Sequence, residues 1–225
     1  MRYRWLLFDL DGTLFDFERA EEDALSEVLA RYGLPTERAT RELYRDINRE
    51  LWLELENGTI TAGAIKVERF RRLLEQIELP AAPERLSEAY LESLGTQTHL
   101  LPGAERLIGS LDGQVRLALV TNGLSVVQRP RLRHSGMGPR FEVVVVSEEV
   151  GWAKPDARIF ELALARMGSP PKRSVLMVGD NPQADIEGAR RAGLDTCWVN
   201  LGARQTAEGV DCTFEIHHLN ELLPN

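Results

Sequence analysis

The stretch LLFDLDGTLFDF, Leu6 to Phe17, runs from an apolar segment into two carboxylates, Asp9 and Asp11, and then into an Asp-Gly turn. A short apolar run closed by a turn former reads as a strand buried on both faces. Along an extended segment residues i and i+2 face the same way, so Asp9 and Asp11 can flank a single reacting atom. Like charges at the end of a buried strand need a chemical reason, and the rest of the chain supplies one.

Four more apolar runs end in polar or glycine signals: Val115 to Val120, Glu142 to Val146, Ser174 to Val178 and Thr196 to Val199. With Trp5 to Phe8 they read as strands. Helical patterns at about 103–111, 125–134, 157–167 and 184–192 alternate with them, with Pro130 expected to kink or split the second. This alternation predicts an α/β fold, a doubly wound parallel-sheet (Rossmann-like) core. One interval breaks it. From about Glu18 to Leu100 apolar residues recur at helical spacing, as in Leu43, Ile47, Leu51, Leu55 and in Val67, Phe70, Leu74, Ile77. Gly33-Leu34-Pro35, Asn57-Gly58 and Leu79-Pro80 divide this interval into about four helices. Residues 1–16 and 97–225 are thus expected to form the core, and 17–96 an inserted α-helical domain.

The chain has 225 residues, 43% hydrophobic and 28% charged, enough for a substantial core, and its net charge of -8 gives no basic footprint for a nucleic acid polymer or an anionic membrane. Small molecules are the expected partners, and the chain is read as a monomer or homodimer. Acids break the N-terminal apolar run after Phe8, far short of a membrane span, so a cytoplasmic location is expected. Cys197 and Cys212 lack metal or disulfide spacing and read as buried thiols. His99, His134, His217 and His218 lack zinc spacing, and the adjacent pair would point to opposite faces if extended.

In a parallel sheet the carboxyl ends of the strands share one edge, which forms the binding crevice. At that edge Asp9 and Asp11 end the first strand and Thr121-Asn122-Gly123 the second. Lys154-Pro155 follows the third, and Gly179-Asp180, with Asp185 beyond, ends the fourth. Each signal alone has an ordinary explanation as a turn, a strand end or a helix cap. Together they converge acids, a hydroxyl and a lysine. Asp9 and Asp180 on neighbouring ends would repel unless a cation neutralised them, and carboxylate and carbonyl oxygens suit Mg²⁺.

DLDGT (Asp9 to Thr13), TNG (Thr121 to Gly123), Lys154 within AKPD and GDNPQAD (Gly179 to Asp185) resemble, in order and approximate spacing, the four-motif signature of the haloacid dehalogenase-like phosphohydrolases. The helical insert resembles that family's cap domain. The resemblance implies that Asp9 is the nucleophile forming an aspartyl-phosphate and Asp11 the general acid and base. It further implies that Thr121, the Asn122 amide and Lys154 hold the phosphoryl oxygens. Mg²⁺ would bind Asp9, Asp180 and the Asp11 carbonyl, with Asp185 ordering metal-bound water or Lys154.

The stretches DGTLFDF, NRELWLELENGTIT, LPGAERL, SEEVGWAKPDARIF, VLMVGD and TCWVN are similar to the house-cleaning 5'-nucleotidases of nonstandard pyrimidine nucleoside monophosphates. Phe17, Trp52 and Trp152, with Phe15 beside them and Asn48 one turn before Trp52, are the candidate substrate contacts; their ordinary reading is packing between insert and core. The alternatives are a phosphoglycolate or sugar-phosphate phosphatase, a phosphomutase, a haloacid dehalogenase, or a non-catalytic binding protein. Asp11 and Asp180 argue against the dehalogenase, because a departing halide needs neither a proton nor a metal.

Overall fold

The computed structural model describes residues 2–201 and 209–223, so the parts of the expected core at 1, 202–208 and 224–225 lie outside the described residues. The strands β1 (Trp5–Phe8), β2 (Arg116–Thr121), β3 (Val143–Val146), β4 (Val175–Gly179), β5 (Asp195–Val199) and β6 (Phe214–Ile216) form one sheet, ordered β3-β2-β1-β4-β5-β6. Every pairing is parallel, with Phe8 beside Leu119 on one side and Val178 on the other. The helices are α1 (Phe17–Arg31), α2 (Arg38–Glu56), α3 (Ala62–Gln76), α4 (Pro83–Thr96), α5 (Ala104–Leu111), α6 (Ser125–His134), α7 (Ser147–Val150), α8 (Ala157–Arg166) and α9 (Gly188–Arg191).

Strand alternation sorts the apolar residues into two layers. Leu6, Phe8, Leu119 and Val178 pack with Leu107 and Leu111 of α5 on one face. Trp5, Leu7, Val120 and Met177 pack with Ile159 and Phe160 of α8 on the other. Burial on both faces is why these strands read as continuous apolar runs.

The helices α1 to α4 carry a third core of their own, built around Leu25, Tyr44, Leu51, Phe70, Leu73 and Tyr90, which Leu124 and Val127 at the start of α6 join. Ile47 and Leu51 are buried and Leu43 and Leu55 partly so, as their four-residue spacing requires. Helix starts are set locally: the Asp16 side chain accepts from Arg19 N–H, Thr61 accepts from Ala64 N–H, and Pro83 opens α4. No helix among the described residues is long and apolar enough to cross a membrane.

Three local readings need correction. The sheet has the additional strand β6, whose three residues are too few to show periodicity. Pro130 does not split α6, which is one helix from Ser125 to His134. The Val126 carbonyl that Pro130 cannot bond faces Gly95 of α4, where a Cβ would stand 3.4 Å from that oxygen and 3.6 Å from the proline ring. A glycine on the neighbouring helix therefore makes room for the proline. The pattern at 184–192 begins earlier, as a wide π turn over Pro182–Glu187 that leads into α9.

Candidate active site

The site begins where β1 ends. Asp9 N–H donates to Val178 O at 2.9 Å, which extends the β1–β4 pairing one residue past the strand. Leu10 is buried in the core, and its carbonyl accepts from the N–H groups of Leu14 and Phe15, both at 2.9 Å, so the chain folds back at once. The turn needs Gly12 at φ +83°, where a side chain would be strained and would also collide with the Asp180 carboxylate.

Lys154 Nζ bonds Asp9 Oδ1 and lies 2.6 Å from Asp185 Oδ1; all three side chains are buried. Burial alone would lower the lysine's pKa, but the charges of Asp185 and Asp9 overcome it and hold the ammonium above its ordinary value. The Lys154 backbone is clamped from β2: Asn122 Nδ2 donates to Lys154 O and Asn122 Oδ1 accepts from Lys154 N–H, each at 2.8 Å. Asp185 is fixed within the π turn by Asn181 N–H, 3.0 Å from its Oδ2, while the Asn181 side chain caps the turn through Gln183 and Ala184. A π turn of this kind is common at functional sites.

Asp180 accepts from Thr13 Oγ1 at 3.1 Å, and its carbonyl accepts from Trp198 Nε1 at 2.9 Å. Desolvation, reinforced by Asp185, pushes Asp180 up to about 7. Asp9 is raised well above the carboxylate range, first by desolvation. Oxygens of Asp9, Asp180 and Asp185 lie within 4.8 Å of one another. Three acids gathered this closely on an all-oxygen donor set, two of them, Asp9 and Asp180, raised chiefly by desolvation, fit a hard divalent cation. The side chain missing at Gly12 keeps that space open.

The Asp11 carboxylate turns toward α6 instead, accepting from Gln128 Nε2 at 2.6 Å through Oδ2 and from Arg131 Nη1 at 2.5 Å through Oδ1. Its hydrogen bonds thus run to α6 and not to Lys154. Gln128 Nε2 also donates to Thr121 Oγ1 at 3.3 Å, so one amide links the ends of β1 and β2.

Two cavities meet at Asp11 and Phe17. One of about 140 Å³ lies between insert and core and is lined by Trp52, Arg69, Leu91, Leu94, Asn122 and Leu124 among others. The other is a wider crevice of about 630 Å³ bordered by Asp180, Asn200, His217 and His218. His217 and His218 follow β6 in a bend, so they line the same crevice and not opposite faces.

Of the expected substrate contacts, Phe17 and Trp52 border the smaller cavity. Trp152 borders neither: it packs against the face that α8 covers, with the Arg158 guanidinium 5.3 Å from its ring centre. Phe15 is core, and Asn48 is turned to Glu21, 2.9 Å from its Nδ2. Cys197 is buried, with its thiol pushed up to about 12 by desolvation, whereas Cys212 is only half-buried, contrary to expectation. Sequence reasoning missed Thr13, Gln128, Arg131, Trp198 and Arg69. The signal for two of these was present: Gln128 and Arg131 share the core-facing side of α6 with Val127 and Leu132, where polar residues need a purpose.

The model of the family described as haloacid dehalogenase-like hydrolase matches residues 3–193. The chain is 36% identical to pyrimidine 5'-nucleotidase YjjG of Escherichia coli, over 99% of this chain and 97% of that one. It is 35% identical to pyrimidine 5'-nucleotidase PynA of Streptococcus pneumoniae, over 99% and 94% of the two chains. The crystal structure of the HAD-hydrolase YfnB of Bacillus subtilis bound to magnesium superposes with a TM-score of 0.90 at 37% identity, covering 99% of this chain and 97% of that one. A sheet edge that gathers all four motifs and a family match over residues 3–193 agree: the protein is a member of the haloacid dehalogenase-like hydrolases.

Proposed function

We propose that the protein is a Mg²⁺-dependent 5'-nucleotidase acting on pyrimidine nucleoside monophosphates, with residues 17–96 serving as a cap over a core of 1–16 and 97–225. The observation that carries the reading is the placement of the 140 Å³ cavity directly beside Asp11 and Asn122, with Phe17, Trp52 and Arg69 in its wall. The full-length likeness to two pyrimidine 5'-nucleotidases supports the same reading.

In this reading a pyrimidine ring enters between Phe17 and Trp52, and Arg69 donates to a ring carbonyl. Arg69 is buried, its Nη2 has no hydrogen-bond partner, and its charge is offset through Asn48 by Glu21, which favours a neutral acceptor over a second carboxylate. Thr121, the Asn122 amide and Lys154 receive the phosphoryl oxygens. An Asp9 carboxylate oxygen attacks phosphorus while the nucleoside oxygen departs with a proton from Asp11, giving an aspartyl-phosphate and a free nucleoside. Asp11 then takes a proton from water, whose oxygen attacks phosphorus; Asp9 is restored and inorganic phosphate leaves. Asp9, Asp180 and the Asp11 carbonyl would hold Mg²⁺, which supplies positive charge against the phosphoryl oxygens.

The test is phosphate release, with and without EDTA, across nucleoside 5'-monophosphates, phosphoglycolate and sugar phosphates. UMP and dUMP should be hydrolysed best and only with the metal. Pyrimidine monophosphates no better than phosphoglycolate would return the substrate to the small esters, and release undiminished in EDTA would contradict the metal dependence.

A further inference from the structure

We infer that Arg131 is a positioning residue for Asp11, coupling the proton-transfer carboxylate to both chain connections of the helical insert. The inference rests on the reading of Asp11 as general acid and base. Arg131 is wholly buried. Its Nη1 donates to Asp11 Oδ1 at 2.5 Å and to Gln128 Oε1 at 3.1 Å.

The second contact fixes the Gln128 amide. With Oε1 committed to Arg131, Nε2 is the end that faces Asp11 Oδ2, at 2.6 Å, and Thr121. Gly123 makes this approach possible, because a Cβ there would stand 2.6 Å from Gln128 Nε2. Arg131 thus holds one Asp11 oxygen directly and sets the neutral donor on the other. Oδ1 is taken by a charged hydrogen bond, the stronger kind, so the proton exchanged with substrate is carried on Oδ2, where the single Gln128 donor occupies one of two lone pairs.

The other side of the guanidinium touches the connections. Nε donates to the carbonyl of Gln97 at 3.1 Å, the residue that closes α4 and leads back to the core. The guanidinium carbon lies 4.8 Å from the ring centre of Phe15 and 5.8 Å from that of Phe17, on the segment that leaves the core for α1. Nη2 is buried without a hydrogen-bond partner. The cation is therefore held by one carboxylate, one amide, one carbonyl and two aromatic rings, so displacing either connection disturbs its grip on Asp11.

The experiment exploits the leaving group. A nucleoside departs as an alkoxide that needs a proton, whereas p-nitrophenolate departs without one. Arg131→Met, Arg131→Lys and Gln128→Met are compared with wild type in Mg²⁺, with enzyme in excess, by the single-turnover rates of uridine release from UMP and of p-nitrophenolate release from p-nitrophenyl phosphate. The UMP rate relative to the p-nitrophenyl phosphate rate should fall about tenfold to a hundredfold in Arg131→Met, within what general acid catalysis contributes. Arg131→Lys should recover part of that loss, and Gln128→Met should show a smaller one. If Arg131→Met does not fold, the other two variants carry the same comparison. Equal losses on both esters in every folded variant would overturn the inference and leave Arg131 a structural role. Wild-type protein inert toward both esters would instead overturn the proposed function beneath it.

Discussion

Lys154 Nζ is shared between Asp9 and Asp185, so one buried ammonium joins the acid at the end of β1 to the acid in the π turn after β4. Replacing Lys154 by Met leaves those acids uncompensated. Breaking a buried pair from one side costs roughly 3–5 kcal/mol. The loss should be large at pH 8 and smaller at pH 5, where Asp9, raised by desolvation, takes up a proton more readily. Denaturant unfolding of Lys154→Met at the two pH values checks this, and equal losses would contradict it.

If Asp180 holds the metal as proposed, binding should depend on pH. Its pKa in the folded chain is about 7, raised by desolvation and then by Asp185, against about 3.9 for an unperturbed Asp. Between these values the folded state holds more protons than the unfolded one, so this group's contribution to stability falls as pH rises. A cation competes with that proton. The rise in melting temperature on adding Mg²⁺ to the metal-free protein should therefore be small at pH 5 and larger at pH 8. A shift independent of pH would remove Asp180 from the metal site.

On the proposed reading, Arg69→Met separates base recognition from chemistry. KM for UMP should rise about tenfold, equivalent to ~1.4 kcal/mol and close to the worth of a hydrogen bond from a charged donor. KM for ribose 5-phosphate, which has no base, should stay within about twofold on the same scale. A parallel rise for both substrates would show that Arg69 only supports the fold of the insert.

Lys66 of α3 meets Glu148 of α7 at 2.7 Å, and Glu148 also accepts from Ser125 N–H at 2.8 Å, tying insert to core away from the chain connections. Both side chains are partly exposed, so Lys66→Ala should cost no more than about 1 kcal/mol of stability. Urea unfolding of the variant measures this, and a loss several times larger would show that the pair does more than close a surface gap.

The doubly wound core and the residues at its strand ends were legible because each motif closes an apolar run with a turn former or a special polar residue, as at Asp9-Leu10-Asp11-Gly12 and Gly179-Asp180. The helices of the insert were legible from apolar spacing and from the breaks at Gly33-Leu34-Pro35, Asn57-Gly58 and Leu79-Pro80. What escaped the sequence depends on tertiary approach. Gln128 and Arg131 reach Asp11 across more than a hundred positions, and nothing near them in the chain names that partner. Trp198 looks like any buried strand residue until its indole N–H is seen on the Asp180 carbonyl. Trp152 is the converse: closeness to Lys154 in sequence suggested the crevice, but the chain turns there and delivers the ring to the sheet face that α8 covers.

Asp11→Asn with p-nitrophenyl phosphate and Mg²⁺ decides whether phosphorus passes through a bond to Asp9. This ester needs no acid to leave, while the water step lacks its base, so the phosphoenzyme should accumulate. The expected result is a burst of p-nitrophenolate equal to the enzyme sites, followed by slow turnover, with a hydroxylamine-labile phosphate on the peptide containing Asp9. Turnover without a burst and without label on that peptide would contradict it.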